Sequence, residues 1–245
     1  MSKVVILIPA RYESSRFHGK PLAKINGKEM ILRVLERATF NYEVYAVVNN
    51  ELIAKVIYEN GFRHILINED CKTGTDRISL ALKKLNLDEN DIVVNVQGDE
   101  PMILPWMIEK VVKVKRDHPN YVVNAFSKIT CPDELKSKST IKIIVDRNDD
   151  LLYASRSDIP SSKAKSNLDL ANKQVCIYAF NKDQLSLFTK TDRGPIEKSE
   201  DIEIIRFLEN SLFPVKMVDL GRIHLHAVDY PEDIKKVENL LNKND

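Results

Sequence analysis

Residues 8–22 read Ile-Pro-Ala-Arg-Tyr-Glu-Ser-Ser-Arg-Phe-His-Gly-Lys-Pro-Leu, overlapping the end of the apolar run Val4-Val5-Ile6-Leu7-Ile8. A short unbroken apolar run closed by a polar loop reads as a strand buried on both faces, the habit of parallel sheets. The loop behind it carries Arg11, Arg16 and Lys20. Open α/β sheets bind ligands outside the carboxyl ends of their strands. Three cations at such a place point to a polyanion, most simply a nucleoside triphosphate; a solvated basic loop is the alternative.

Outward from this stretch, apolar runs alternate with amphipathic segments. The pattern predicts strands at 4–8, 44–48, 64–67 and 92–96, and helices at 30–38, 51–60, 76–84 and 105–116. Strand–helix alternation over the first half argues for a mostly parallel sheet with crossover helices. Strands then cluster at 122–129, 141–145, 151–154 and 175–180. This clustering predicts a β region of about 121–180 inserted in a single domain of 245 residues, serving a second substrate, a dimer contact, or both. Residues 161–173 are polar and read as a mobile loop. Helices return at 182–188, 200–210 and 231–241, with a strand at 215–218.

Bulk composition excludes several classes. The net charge of +1 gives no general field for nucleic acid or membrane, so phosphate-binding charge must be local. No window approaches a membrane span. Cys71, Cys131 and Cys176 are widely spaced, against a disulfide framework or zinc site and in favour of a reducing cytoplasm. Dinucleotide, P-loop, zincin and serine-hydrolase signatures are missing.

Further motifs stand at predicted strand and helix ends. In Gln97-Gly98-Asp99-Glu100-Pro101, Asp99 follows the most apolar strand and suits magnesium, which takes one or two carboxylates plus phosphate oxygens. A turn or helix-cap role for Asp99 stays open. Asp229 precedes Pro231 and is either a helix cap or a second carboxylate on the same metal. In Thr73-Gly74-Thr75-Asp76-Arg77, free N–H groups at a helix start can bind a base or phosphate edge, or Thr75 or Asp76 is a simple cap. Arg156 is either a bidentate partner for a substrate carboxylate or a surface residue, and Tyr178 is a further candidate.

Taken in order, 8–22, 74–77, 97–101, 155–157, 177–180, 195–197 and 228–233 together resemble the motifs of the 3-deoxy-manno-octulosonate (Kdo) cytidylyltransferases. That resemblance implies a Rossmann-like, glycosyltransferase-A-like α/β nucleotidyltransferase fold. It implies CTP held by Pro9, Ala10, Arg11, Ser15, Arg16, Lys20, Gly74, Thr75, Arg77 and Gly98. Lys20, Asp99 and Asp229 are then the expected catalytic residues, with Mg2+ on Asp99 and Asp229. An acidic 2-keto-3-deoxy sugar is expected against Gln97, Arg156, Gln174, Tyr178, Glu197 and Glu203. The anomeric 2-hydroxyl would attack the α-phosphorus of CTP and release pyrophosphate, in a cytoplasmic homodimer joined through the inserted β region.

The sugar half departs from the family pattern. Gln174 stands where a His is usual, Ile204 where a Gln is usual, and Asp158 at an apolar or Pro position. On the nucleotide side His18 replaces a Pro, and Asn49-Asn50 falls where the family often has Thr-Asp-Asp. These departures predict a changed acceptor, a relative of Kdo or Kdo held by other contacts. The alternatives are another ulosonic or nonulosonic acid, a different nucleotide such as GTP or UTP, or a non-catalytic nucleotide-sugar binding protein.

Overall fold

The computed structural model describes residues 2–14, 16–161, 163 and 168–244. Ser15 and, in the predicted loop at 161–173, residues 162 and 164–167 lie outside the described residues. In chain order the first half runs β1 (Val4–Ala10), β2 (Lys24–Ile25), β3 (Lys28–Glu29), α1 (Met30–Ala38), β4 (Glu43–Val48), α2 (Glu51–Glu59), β5 (His64–Leu66), α3 (Gly74–Ala81), β6 (Ile92–Val96) and α4 (Pro105–Asp117). The second half runs β7 (Val122–Lys128), α5 (Pro132–Lys136), β8 (Lys142–Val145), β9 (Leu151–Ser155), β10 (Asn172–Phe180), α6 (Lys182–Lys190), α7 (Pro195–Glu200), α8 (Ile205–Glu209), β11 (Val215–Asp219) and α9 (Asp233–Asn244).

The main sheet has the order β11-β7-β10-β6-β1-β4-β5. Neighbours pair in parallel except at β10, which runs antiparallel to both β6 and β7. β1 is buried along its whole length, and its period of 2 divides its side chains between two cores. Ile6 and Ile8 face one side with Ile31 and Leu35 of α1, Ile53 and Ile57 of α2 and Ile108 of α4. Val5 and Leu7 face the other with Ile78 of α3, Leu185 of α6 and Phe207 of α8. Buried residues at 31, 34, 35 and 38 in α1 show the 3.6-residue period that lays one face on the sheet.

Several expectations change. β7 and β10 belong to the main sheet, so the excursion from it is the β8–β9 hairpin, which joins β10 at Asn172 and Lys173. Both residues fall in the stretch read as loop, but they are buried and laddered, and β10 starts there. The helix expected at 200–210 is two short helices, broken at Asp201, which takes a left-handed φ of 51°. Ile202, Ile204, Ile205 and Phe207 are all buried, so the apolar pattern runs across a break that it does not register. Asn49 and Asn50 have local duties: Asn49 accepts from the Tyr12 N–H at 3.0 Å, and Asn50 caps α2 through the Leu52 N–H at 2.8 Å.

Candidate active site

The loops after β1, β6 and β11 meet β10, the segment leading into β8 and the residue that follows β9 around a cleft of about 550 Å³. That volume suits a small-molecule ligand. Its floor is set by close backbone packing. A Cβ on Gly98 would lie 2.8 Å from the Pro9 carbonyl oxygen, so only glycine lets the loop after β6 cross β1 there. Gly74 is nearly as tight, 3.0 Å from the Gln97 amide and 3.2 Å from Pro9.

One wall is built from alternating charge. Lys20 Nζ lies 2.6 Å from Asp99 Oδ2 and donates to the Val228 carbonyl at 2.9 Å. Arg16 Nη2 lies 2.8 Å from Asp229 Oδ1. The Val228 N–H closes the arrangement on the Asp99 carbonyl at 3.0 Å. Asp99 and Asp229, 130 residues apart in the sequence, thus share one wall. Burial and then the Asp99 charge push the Asp229 carboxyl up, against the pull of Lys20 and Arg16. Beside them, burial and then the Asp99 charge push buried Glu100 up to about 7.

Asp229 is not the cap of α9. Asp233 is the anchor, accepting from the Asp229 N–H at 3.1 Å and the Tyr230 N–H at 2.9 Å. Against the upward push of burial, bonds from Lys236 and His226 hold the Asp233 carboxyl well below the usual carboxylate range. The Asp229 side chain is left for the cleft. Among the described residues no group of three or more His, Cys, Asp or Glu is placed to hold a metal ion. Two carboxylates facing a phosphate-sized space are nonetheless a fitting donor set for a hard cation that completes its shell with water and phosphate oxygens.

Pro9, Ala10, Arg11, Arg16, Lys20, Gly74, Arg77, Gly98 and Gln97 all line the cleft. Arg77 is buried and donates to the Ile67 carbonyl at 2.9 Å. The expectation for the start of α3 needs correction. Thr73 is the cap, in a reciprocal box with Asp76. The Gly74 and Thr75 N–H groups are occupied by the Glu203 carboxylate at 3.1 and 3.2 Å, and the Thr75 hydroxyl also donates to it. The helix start is filled by a protein carboxylate, and Thr75 sits behind the cleft lining. Burial raises the Glu203 carboxyl, opposed by its bonds from Thr75 and Gly74.

At the other end lie Arg156, Gln174, Tyr178 and Glu203. The Arg156 guanidinium donates to the carbonyls of Glu200 (2.6 Å), Lys138 (2.8 Å) and Asp201 (2.9 Å). Arginine has five N–H donors, so this holds the fork in place and leaves capacity for a carboxylate. Gln174 donates through Nε2 to Asn124 Oδ1 at 2.8 Å, and among the described residues its buried Oε1 has no partner. Such an acceptor costs about 1–3 kcal/mol when nothing binds it. Tyr178 is buried against Phe180, and burial pushes its phenol well up.

Glu197 does not reach the cleft. It is fully buried and takes both bonds of a fork from Arg206, each 2.8 Å. Arg206 also reaches Asp76 at 3.2 Å and lies over the Phe188 ring. A buried guanidinium demands such carboxylates, which is why Glu197 is drawn inward. Ile204 likewise joins the apolar core, away from the cleft. Sequence reasoning missed Asp233, Asn124 and Glu200 as supports of the site. Only Asp233 carried a signal, four residues after Asp229 and following the proline of the same motif.

The model of the family described as cytidylyltransferase matches residues 5–218. A 3-deoxy-manno-octulosonate cytidylyltransferase, mitochondrial, of Arabidopsis thaliana is 36% identical, covering 99% of this chain and 84% of that protein. An 8-amino-3,8-dideoxy-manno-octulosonate cytidylyltransferase of Shewanella pealeana is 37% identical over 97% of this chain and 98% of its own. Among solved structures, a CMP:2-keto-3-deoxy-manno-octonic acid synthetase complexed with CTP superposes with a TM-score of 0.88 at 33% identity, covering 99% of this chain and 100% of that one. The inositol-1-phosphate CTP transferase of T. maritima, 17% identical with a TM-score of 0.68 over 99% of this chain and 96% of its own, shares the fold. The expected nucleotidyltransferase fold is thereby borne out.

Proposed function

The chain belongs to the cytidylyltransferase family, and from that premise we propose that it transfers CMP from CTP to the anomeric 2-hydroxyl of a 3-deoxy-2-ulosonic acid, Kdo or its 8-amino relative. The observation that carries this reading is the wall on which Lys20–Asp99 and Arg16–Asp229 stand side by side. Triphosphate oxygens would compete with the two aspartates for those cations, and Arg11 at the rim adds a third charge. Asp99 and Asp229 would hold Mg2+, which when bound supplies charge neutralisation and Lewis acidity at the phosphates. The Arg156 fork suits the sugar carboxylate, and Glu203 braces the start of α3 beside the acceptor. The hydroxyl oxygen forms the new bond to the α-phosphorus while the bond to the bridging oxygen breaks. Pyrophosphate leaves with that electron pair, and the hydroxyl proton passes to water. Positioning and charge neutralisation then carry the rate, with no covalent enzyme intermediate.

Cytoplasmic placement and a homodimer belong to the same proposal. The supporting facts are that no helix among the described residues is long and apolar enough to cross a membrane, and that Leu152, Tyr153 and Ile196 are exposed. A pyrophosphate-release assay with CTP and Mg2+ tests the reaction. Turnover is expected with Kdo or its 8-amino relative, and Asp99→Asn is expected to lower kcat at least about a hundredfold. Turnover with GTP or UTP in place of CTP, or an unimpaired Asp99→Asn enzyme at saturating Mg2+, overturns it.

A further inference from the structure

We propose that the Gln174 amide oxygen reads one hydrogen-bond donor on the acceptor acid, making the site selective for a hydroxyl or ammonium there over a missing or capped group. The inference rests on the acceptor class proposed above and assigns the polarity of one contact within it.

The orientation of the amide follows from its neighbours. β10 is irregular between Val175 and Tyr178, where its ladder to β7 shifts register. Asn124 of β7 repairs the gap: its Nδ2 donates to the Val175 carbonyl at 3.0 Å and the Ile177 carbonyl at 2.9 Å. Turning that amide over would set its oxygen against two carbonyl oxygens, so Oδ1 must face Gln174. Gln174 therefore has to present Nε2 to it, at 2.8 Å. Among the described residues its Oε1 is left without a partner, a buried acceptor on a cleft-lining residue that is only 8% exposed. The backbone beneath is fixed by the Gln174 N–H on the Ile141 carbonyl at 2.9 Å. The next cation along, Lys173, is already held by Glu134 and the Leu225 carbonyl. Gln174 thus has a spare acceptor in Oε1, beyond the bond that Nε2 makes to Asn124. A histidine, the residue that the family resemblance places here, offers either a ring N–H or a lone pair according to its tautomer. A site built around a fixed buried acceptor rejects analogues that lack the donor far more strongly than an apolar pocket would.

The test uses the full chain at saturating CTP and Mg2+, with Kdo, its 8-amino relative and the 4-, 5-, 7- and 8-deoxy acids as acceptors. Wild type is expected to lose about ten- to a hundredfold in kcat/KM at one position of the deoxy series. In Gln174→Met that loss should shrink to under about threefold, with the KM for CTP unchanged within about twofold. Preference for the amino acid, abolished in Gln174→Met, identifies an ammonium as the donor; preference for Kdo identifies a hydroxyl, and both support the inference. If Gln174→Met melts several degrees lower, Gln174→Asn carries the same test, because it keeps a polar amide on β10 and retracts the oxygen by one methylene. A variant that keeps the wild-type analogue profile, as expected if Oε1 only holds a trapped water, overturns the role of Gln174 alone. Failure of wild type to use any acid of the series overturns the acceptor reading and this inference with it.

Discussion

Gly98 and Pro9 meet backbone to backbone, and neither side of that contact can swing away. Adding the single methyl of Gly98→Ala would bring a carbon to 2.8 Å of a carbonyl oxygen, so the loop after β6 must shift. Asp99 would move with it. The expected result is a loss of about 1–3 kcal/mol in urea unfolding and at least about a tenfold loss in turnover. A variant of unchanged stability and rate would show that the loop has slack. The residue scale is also where the sequence was read unevenly. That Lys20, Arg16, Asp99 and Asp229 would line one cleft was legible because they follow apolar runs, and open α/β sheets gather such strand-end loops at one crevice. Glu203, Glu197 and Arg206 were not legible in their actual roles. Glu203 reaches Gly74 across 129 positions and Arg206 reaches Asp76 across 130, and no local pattern records which carboxylate a buried group will choose.

At the scale of elements, strands and helices with continuous or 3.6-spaced apolar residues emerged at nearly their true bounds: α1 at Met30–Ala38 and β6 at Ile92–Val96 match to the residue. The reversal of β10 did not, because an apolar run has no direction. Nor did the tight β2–β3 turn, although Asn26 and Gly27 take the positive φ values of 44° and 76° that an Asn-Gly hairpin turn uses. The end of α4 supplies a pH-dependent feature. Lys115 is buried there, donating to the Pro119 and Tyr121 carbonyls and to Gln184, and burial lowers its pKa to about 7. The folded protein therefore binds fewer protons here than the unfolded chain between about pH 7 and 10.5. Stability from this site is full above that window and is lost as pH falls through it. Comparing urea midpoints of wild type and Lys115→Met should show the difference moving in favour of wild type from pH 7 to 9.5. A difference flat across that range would mean that Lys115 stays charged.

For the whole molecule, the exposed Leu152 and Tyr153 of β9 and Ile196 of α7 are the surface on which the proposed homodimer would form. Sedimentation should report twice the monomer mass of 28.1 kDa. Leu152→Asp is expected to weaken that association at least about tenfold. A wild-type monomer at micromolar concentration removes the dimer. The parallel-sheet class was legible from the first half of the sequence, while the extent of the inserted region was not, since strand-rich sequence looks alike inside and outside the main sheet. One more consequence follows from the grip of Lys20 on the Val228 carbonyl across 208 positions. During synthesis β1 and its cationic loop are made first, and the aspartate that opposes Arg16 is made more than two hundred residues later. A nascent chain interrupted before residue 229 carries the cations and one carboxylate without the second. On the proposed function such a fragment would hold the cations without the assembled wall, and catalytic competence would arrive only after residue 229 is made.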